Sequence, residues 1–183
     1  MDQFEESTLL IPSSKIFEGI VKCGNGINNV CEEYLFPEEV PVFVTVLTGG
    51  IYFTGQVMPM IKRKSIFSYV AVSRYGLRDK PSRVVPKILV PTPVSVENSV
   101  VFLLDDIFDQ GYTINFLKDY FLRKGANRVI SVCLLKKNLE ESLDQEGPDI
   151  WGVECPDYFV FGCGLDNYGY YRNLSSLYGR KIR

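Results

Sequence analysis

The sequence contains no histidine at all. This absence excludes serine and cysteine nucleophiles that rely on a histidine base, and it excludes every metal site with imidazole ligands. Acid–base chemistry in this chain must therefore use aspartate, glutamate, lysine or tyrosine. A bound metal is expected to be a hard ion held by oxygen atoms, such as Mg²⁺.

Membrane, nucleic-acid and disulfide signals are also scarce. No apolar stretch reaches the roughly 20 residues of a membrane span, and the net charge is only −2, so neither a membrane nor nucleic acid is expected as a partner. Five cysteines without CxxC spacing indicate neither a disulfide framework nor a zinc site. Residues 1–6 are acidic, unlike a signal or transit peptide. We expect a cytoplasmic protein with one globular domain spanning 1–183.

Residues 99–115 are the most informative stretch. Val100–Leu104 is apolar without interruption, as in a strand buried on both faces. Two acids, Asp105 and Asp106, follow directly, and after Thr113 apolar residues recur at helical spacing. The stretch therefore predicts a strand, an acidic turn and a helix start in immediate succession.

This succession of elements has a chemical meaning. A helix start offers free N–H groups and the positive end of a dipole, which suit a phosphate. Gly111 lets the backbone come close, and the Thr113 hydroxyl can donate to a phosphate oxygen or cap the helix. Because carboxylates repel phosphate, Asp105, Asp106 and Asp109 are expected to face sugar hydroxyls, a divalent cation or a proton. A solvated surface turn explains any one of these acids, but explains poorly two acids directly against a buried strand end.

Further strands are predicted at 42–47, 66–73 and 127–135 from their apolar and β-branched runs. The first is followed by Gly49 and Gly50, which offer a second anion-binding turn, although glycine pairs at such places are most often only turns.

Two lysines, Lys136 and Lys137, end the strand at 127–135. Side chains alternate along a strand, so only one of the two is expected to face a site. Two solvated lysines are the alternative interpretation.

Two segments have irregular patterns. Residues 1–36 predict a peripheral helical segment that is interrupted near Gly24. Residues 74–98 contain four prolines and predict a flexible lid loop or a small hairpin.

The string Asp105–Thr113, DDIFDQGYT, resembles the 5-phosphoribosyl-1-pyrophosphate (PRPP) motif of type I phosphoribosyltransferases. Glu154–Asp166, ECPDYFVFGCGLD, is similar to the purine-recognition segment of the hypoxanthine-guanine branch, and the resemblance runs from about residue 41 to residue 177. It implies an α/β fold with a mostly parallel twisted sheet of about five strands, flanked by helices, and a small hood from the N- and C-terminal segments. Ligands are expected beyond the carboxyl ends of the strands.

The resemblance also implies roles for individual residues. Asp109 is the expected catalytic base, acting on the proton at purine N7. PRPP is expected to contact Asp105, Asp106, Gln110, Gly111, Tyr112, Thr113, Thr48, Gly49, Arg74, Tyr75 and Arg172. The purine is expected to contact Lys137, Phe159 and Val160, with Lys136 as the alternative one residue away. Mg²⁺ is expected to contact Asp166, Asp105 and Asp106.

Four positions depart from the family pattern. Thr48 stands where many members carry lysine, and Arg74 stands where serine is usual. Gln110 and Tyr112 replace the commoner threonine and lysine. At positions 48, 110 and 112 the main chain is expected to supply the contacts.

The implied activity is Mg²⁺-dependent transfer of the 5-phosphoribosyl group from PRPP to N9 of hypoxanthine or guanine, giving IMP or GMP and pyrophosphate. A homodimer or homotetramer is expected. Two alternatives stay open: a regulator that binds PRPP without catalysis, and a phosphoribosyltransferase for xanthine or another base. The segment Glu154–Asp166 disfavours pyrimidines, and the presence of Asp109, Lys137 and Phe159 argues against a regulator.

Overall fold

A computed structural model describes residues 7–75, 85–138 and 147–181, which form two sheets with flanking helices. In chain order the strands are β1 (Thr8–Ile11), β2 (Val42–Leu47), β3 (Ile66–Tyr75), β4 (Val85–Val90), β5 (Val100–Phe108), β6 (Arg128–Asn138), β7 (Ile150–Pro156), β8 (Tyr158–Phe161) and β9 (Leu177–Lys181). The helices are α1 (Ser13–Tyr34), α2 (Gly50–Val57) and α3 (Tyr112–Arg123), and a 3-10 turn, Met58–Met60, follows α2.

The larger sheet has six strands in the order β4-β3-β2-β5-β6-β7. Strands β3, β2, β5, β6 and β7 run parallel to one another, and β4 pairs antiparallel with β3. The predicted α/β class with a mostly parallel sheet is confirmed. The sheet has six strands where about five were predicted. Strand β7 was not among the strands predicted by range, because it contains Gly152 and is partly exposed, which gives it a weak strand pattern.

Strand β5 lies between β2 and β6, and its run Val100–Leu104 is buried. Phe102 stacks on Phe43 of β2 with ring centroids 4.8 Å apart, and Phe43 stacks on Phe67 of β3 at 4.9 Å. Such offset aromatic pairs stabilise neighbouring strands beyond the burial of their area. The row of rings fixes the relative position of the three strands whose carboxyl ends lie at the site.

The helices cover both faces of the large sheet. Apolar residues of α1 and α2 pack with Phe43 and Phe102 on one face. On the opposite face Leu117 and Phe121 of α3 pack with Val101 of β5. Side chains of β5 alternate between the two cores. Helix α3 follows β5 in the chain, so its first turn lies close to the carboxyl end of β5.

Helix α1 differs from its prediction, because it runs from Ser13 to Tyr34 without the break expected near Gly24. Its glycines lie at close packing contacts. A methyl group on Gly24 would lie 3.1 Å from the Met60 side chain, and one on Gly19 would lie 3.2 Å from the backbone of Gly152. The glycines therefore let the helix approach the turn after α2 and strand β7, and tertiary packing offsets their low helix propensity.

The smaller sheet has the strand order β1-β9-β8, with antiparallel pairing throughout. It joins the N-terminal segment to the C-terminal segment, which confirms the predicted hood. Strand β8 is separated from β7 by Asp157 alone. The hood therefore begins directly at the carboxyl edge of the large sheet.

The predicted lid at 74–98 is described only in part. Strand β3 reaches Tyr75 and β4 begins at Val85 with antiparallel pairing, so the two arms of a hairpin are present. Residues 76–84, and the side chains of Arg74 and Tyr75, lie outside the described residues. Within the part of the chain that is described, no helix is long and apolar enough to cross a membrane.

Candidate active site

A cavity of about 530 Å³ lies between the carboxyl edge of the large sheet and the hood. Strands β2, β5 and β6, the start of α3, strand β8 and the segment 164–172 surround it. Its lining consists of Val46, Leu47, Gly49, Val72, Asp105, Asp106, Ile107, Asp109, Thr113, Lys137, Phe159, Val160, Leu165, Asp166 and Arg172. The cavity thus brings together residues from both motifs that the sequence singled out.

The acids Asp105 and Asp106 lie inside β5, which continues to Phe108, and not in a turn after it as predicted. Both are buried, and the Asp106 amide donates to Asp105 Oδ1 at 2.9 Å. Burial raises the pKa of Asp106 above its ordinary 3.8, against lowering contributions from hydrogen bonds to Asp105 and the backbone and from the charge of Arg172. Because β5 lies between β2 and β6, these carboxylates belong to the sheet side of the cavity wall.

The turn after β2 packs on one of these acids. A methyl group on Gly49 would overlap the carboxylate of Asp106, and one on Gly50 would lie 2.7 Å from the Leu104 carbonyl oxygen. The Leu47–Thr48 peptide bond is cis. Thr48 itself is exposed, whereas Gly49 lines the cavity. Glycine is required here because the backbone comes too close to β5 for any side chain.

The start of α3 forms the next part of the wall. Gly111 has φ +72°, a left-handed conformation that favours glycine, and its carbonyl oxygen accepts from the Asn115 amide at 2.9 Å. Thr113 lines the cavity from the first turn of the helix, while Gln110 and Tyr112 have exposed side chains. The first-turn N–H groups are consequently presented beside the carboxylates of β5.

Among the described residues that line the cavity, Lys137 alone carries an ammonium group. Its Nζ lies 3.5 Å from Asp109 Oδ1 and 3.3 Å from Asp157 Oδ1, and its side chain is 9% exposed. Lys136 points elsewhere: its Nζ lies 4.5 Å from the Trp151 ring centre and 4.0 Å from Glu154. Strand alternation therefore separates the two lysines as expected, with position 137 in the cavity.

The hood contributes an aromatic wall. Phe159 and Val160 of β8 line the cavity. The Arg180 guanidinium of β9 lies 4.9 Å from the centre of the Phe159 ring, a cation–π distance. This contact restrains the ring, which lets Phe159 present a fixed apolar surface.

Arg172 and Asp166 form a close ion pair on the hood side of the cavity. Arg172 Nη2 lies 2.6 Å from Asp166 Oδ1, and Nη1 donates to the Gly164 carbonyl oxygen at 2.7 Å. Asp166 Oδ2 accepts from the Gly169 amide at 2.8 Å. Both charged groups are therefore positioned by local contacts.

The three carboxylates predicted to hold a metal all line the cavity. Within the ranges that the structure describes, however, no three acidic or thiol side chains converge on one point that could hold a metal ion. Asp105 and Asp106 lie on the sheet, whereas Asp166 lies on the hood with Arg172. The full predicted ligand set is thus not preassembled by the protein.

Sequence reasoning missed two residues that shape the site. Asp157 contacts Lys137, and Gly164, with φ +105°, packs so tightly that a methyl group on it would overlap the Gly49 carbonyl. Asp157 belongs to the Pro-Asp pair of the purine-like segment, which was the available signal. No local pattern could have indicated the Gly164–Gly49 contact, because the two residues are far apart in the chain.

Comparison with known proteins agrees with this geometry. The phosphoribosyl transferase domain profile matches residues 19–167. A hypoxanthine-guanine phosphoribosyltransferase of Aquifex aeolicus is 33% identical over 141 residues, which cover 77% of this chain and 78% of that protein. This chain belongs to the hypoxanthine-guanine phosphoribosyltransferase family.

Other members of the family match over similar lengths. The Bacillus subtilis enzyme of the same name is 32% identical over 139 residues, 76% of each chain. A crystal structure of a hypoxanthine-guanine phosphoribosyltransferase from Bacillus anthracis has 26% identity and a TM-score of 0.78, and the match covers 93% of this chain and 96% of that one. The family's sheet, helices and hood are thus present here.

Proposed function

We propose that this enzyme transfers the 5-phosphoribosyl group from PRPP to N9 of a 6-oxopurine, hypoxanthine or guanine, and releases pyrophosphate. The observation that supports this most directly is the shared cavity. Its sheet side carries carboxylates, a helix start and the largely buried Lys137 of β6, and its hood side carries the aromatic ring of Phe159. A ribose phosphate fits the first set chemically, and a 6-oxopurine fits the second.

The 5′-phosphate would bind at the start of α3. Main-chain N–H groups around Gly111 and the Thr113 hydroxyl supply neutral donors at the positive end of the helix dipole. At Gln110 and Tyr112, whose side chains are exposed, the main chain would supply the donors. Asp105 and Asp106 would accept hydrogen bonds from the ribose hydroxyls.

The leaving pyrophosphate requires positive charge and N–H donors. The turn at Thr48 and Gly49 would supply backbone donors, and Arg172 would supply its guanidinium from the hood. Arg172 exchanges part of its pairing with Asp166 for the phosphate oxygens. The predicted contacts of Arg74 and Tyr75, on the lid, belong to the same proposal.

The donor set of the cavity suits Mg²⁺, because its acidic residues offer only hard oxygen ligands. Magnesium usually binds through one or two carboxylates together with substrate oxygens, so Asp166, or the pair Asp105 and Asp106, would hold it with PRPP bound. The ion would offset negative charge on the leaving pyrophosphate.

The purine would lie between Phe159 and the sheet. Phe159 would stack on the ring, the Val160 main chain would contact the base edge, and Lys137 would donate to the 6-oxo oxygen. Asp109, which pairs with Lys137, would take or stabilise the proton at N7 as the C–N bond forms. A closed lid would exclude water, which otherwise hydrolyses PRPP.

The test is an assay of purified protein with PRPP, Mg²⁺ and one base at a time, with monophosphate formation as the readout. Hypoxanthine or guanine should be converted, and excess chelator should abolish turnover. Conversion of xanthine alone would establish the other-base alternative. Binding of PRPP without conversion of any base would establish the regulator.

Compartment and assembly are part of the proposal. All five cysteines are buried free thiols, which suits the reducing cytoplasm. A homodimer or homotetramer is supported by two exposed apolar residues, Ile51 of α2 and Met58 directly after it. They are seven residues apart, about two helical turns, and are 53% and 43% exposed. Light scattering of the purified protein tests the oligomeric state.

A further inference from the structure

Two carboxylates share the ammonium group of Lys137. Asp109 Oδ1 lies 3.5 Å from Nζ, and Asp157 Oδ1 lies closer, at 3.3 Å. Lys137 lies in β6, whereas Asp157 is the single residue between β7 and β8. The junction between the large sheet and the hood thus carries a charge directed at the lysine.

We propose that Asp157 is a positioning residue that sets the location of the Lys137 ammonium and thereby the selectivity for a 6-oxo group. The inference rests on the proposed function, in which Lys137 contacts the purine. Asp157 is about half exposed, at 52%, and it is not among the described residues that line the cavity. It therefore acts through the lysine and does not touch the substrate.

The geometry gives Asp157 a specific task. A lysine ammonium has three N–H donors, so ion pairs with two carboxylates still leave at least one donor for the 6-oxo oxygen. Without Asp157, Asp109 is the stronger attraction and draws the flexible lysine side chain toward itself. The ammonium would then leave its position at the base, and Asp109 would be occupied by an ion pair that competes with its role toward N7.

Selectivity follows from the same arrangement. A fixed ammonium donates to a 6-oxo group but finds no acceptor in a 6-amino group, and a purine that leaves a buried polar group unpaired is rejected. If the ammonium can move, binding a 6-amino purine leaves it less completely unpaired, so the free-energy cost is smaller. Asp157 should therefore affect discrimination between hypoxanthine and adenine, and leave PRPP binding alone.

The first test is Asp157→Asn, which removes the charge and keeps the shape. The expected result is a rise of about fivefold or more in the KM for hypoxanthine and an unchanged KM for PRPP. The preference for hypoxanthine over adenine, as a ratio of kcat/KM values, should fall by a similar factor. Asp157→Glu should restore most of the hypoxanthine KM. Glu154→Gln is the matched control. Glu154 lies in β7, three residues before Asp157, but its carboxylate is 4.0 Å from the ammonium of Lys136.

A double-mutant cycle with Lys137→Ala decides the mechanism. If Asp157 acts through the lysine, Asp157→Asn changes the hypoxanthine KM by less than about twofold once Lys137 is alanine. An undiminished effect in that background, or the same effect from Glu154→Gln, overturns the inference, as does a silent Asp157→Asn in an active enzyme. A wild-type protein that makes no nucleotide contradicts the proposed function itself.

Discussion

The carboxylate of Asp106 occupies the space that a side chain on Gly49 would need. Gly49 belongs to the turn after β2, and Asp106 belongs to the carboxyl end of β5. The contact brings the expected pyrophosphate turn directly onto the expected ribose carboxylate. Gly164 packs on the Gly49 carbonyl, so Gly49 is in close contact with both the sheet and the hood.

Gly49→Ala should therefore damage the site through steric overlap alone. Gly49 has φ −61°, which alanine adopts freely, so backbone strain makes no contribution. We expect a loss of about tenfold or more in kcat/KM for PRPP, because small displacements of binding groups cost this much. Gly55→Ala on α2 is the control, since a methyl group there contacts nothing within 4 Å. That variant should keep full activity and gain about 0.5–1 kcal/mol in stability; equal effects of the two substitutions would contradict the packing argument.

Asp106→Asn should stabilise the substrate-free protein at neutral pH. Burial raises the pKa of Asp106 in the folded state above the 3.8 of an unfolded chain. The protonated carboxyl therefore stabilises the fold fully below pH 3.8, and this stabilisation is lost as the pH rises through the pKa of the folded state. Asparagine, neutral throughout, removes this loss. Thermal unfolding at a series of pH values should show a higher Tm for the variant at pH 7 and weaker PRPP binding. Asp119→Asn, at an exposed position of α3, is the control, and a lower Tm for Asp106→Asn at pH 7 would refute the expectation.

Asp109→Asn is expected to lower kcat by about 100-fold or more, the scale of losing a general base. The KM for PRPP should stay nearly constant, because the substitution keeps the shape of the side chain and the ribose carboxylates are untouched. Steady-state kinetics with hypoxanthine at saturating PRPP measures both values. If turnover stays within a few-fold of wild type, another group handles the N7 proton.

Lys137→Ala should raise the KM for the base by about tenfold or more and relax the requirement for a 6-oxo group, because a positioned donor is lost. Lys136→Ala is the matched control, since its ammonium lies over Trp151 and beside Glu154. It should change the KM for the base less than about twofold. The opposite pattern would place the base contact at Lys136, and silence at both positions would remove the argument for a 6-oxopurine.

Much of this protein could be predicted from local sequence. The run Val100–Leu104 predicted a buried strand because five consecutive apolar residues indicate burial on both faces without knowledge of the neighbouring strands. Gly111 and Thr113 marked the helix start through their backbone preferences. The two motif strings placed candidate site residues on β5, at the start of α3 and on the hood.

Tertiary structure alone decided which of these residues meet. The unbroken course of α1 depends on glycines fitting against Met60 and Gly152, and packing there overrides their local preference for irregular backbone. The contact of Asp157 with Lys137 joins the β7–β8 junction to β6, and no period or spacing along the chain indicates it. Local patterns report which face of an element is buried, whereas distances between elements are set by how the side chains of the whole core pack.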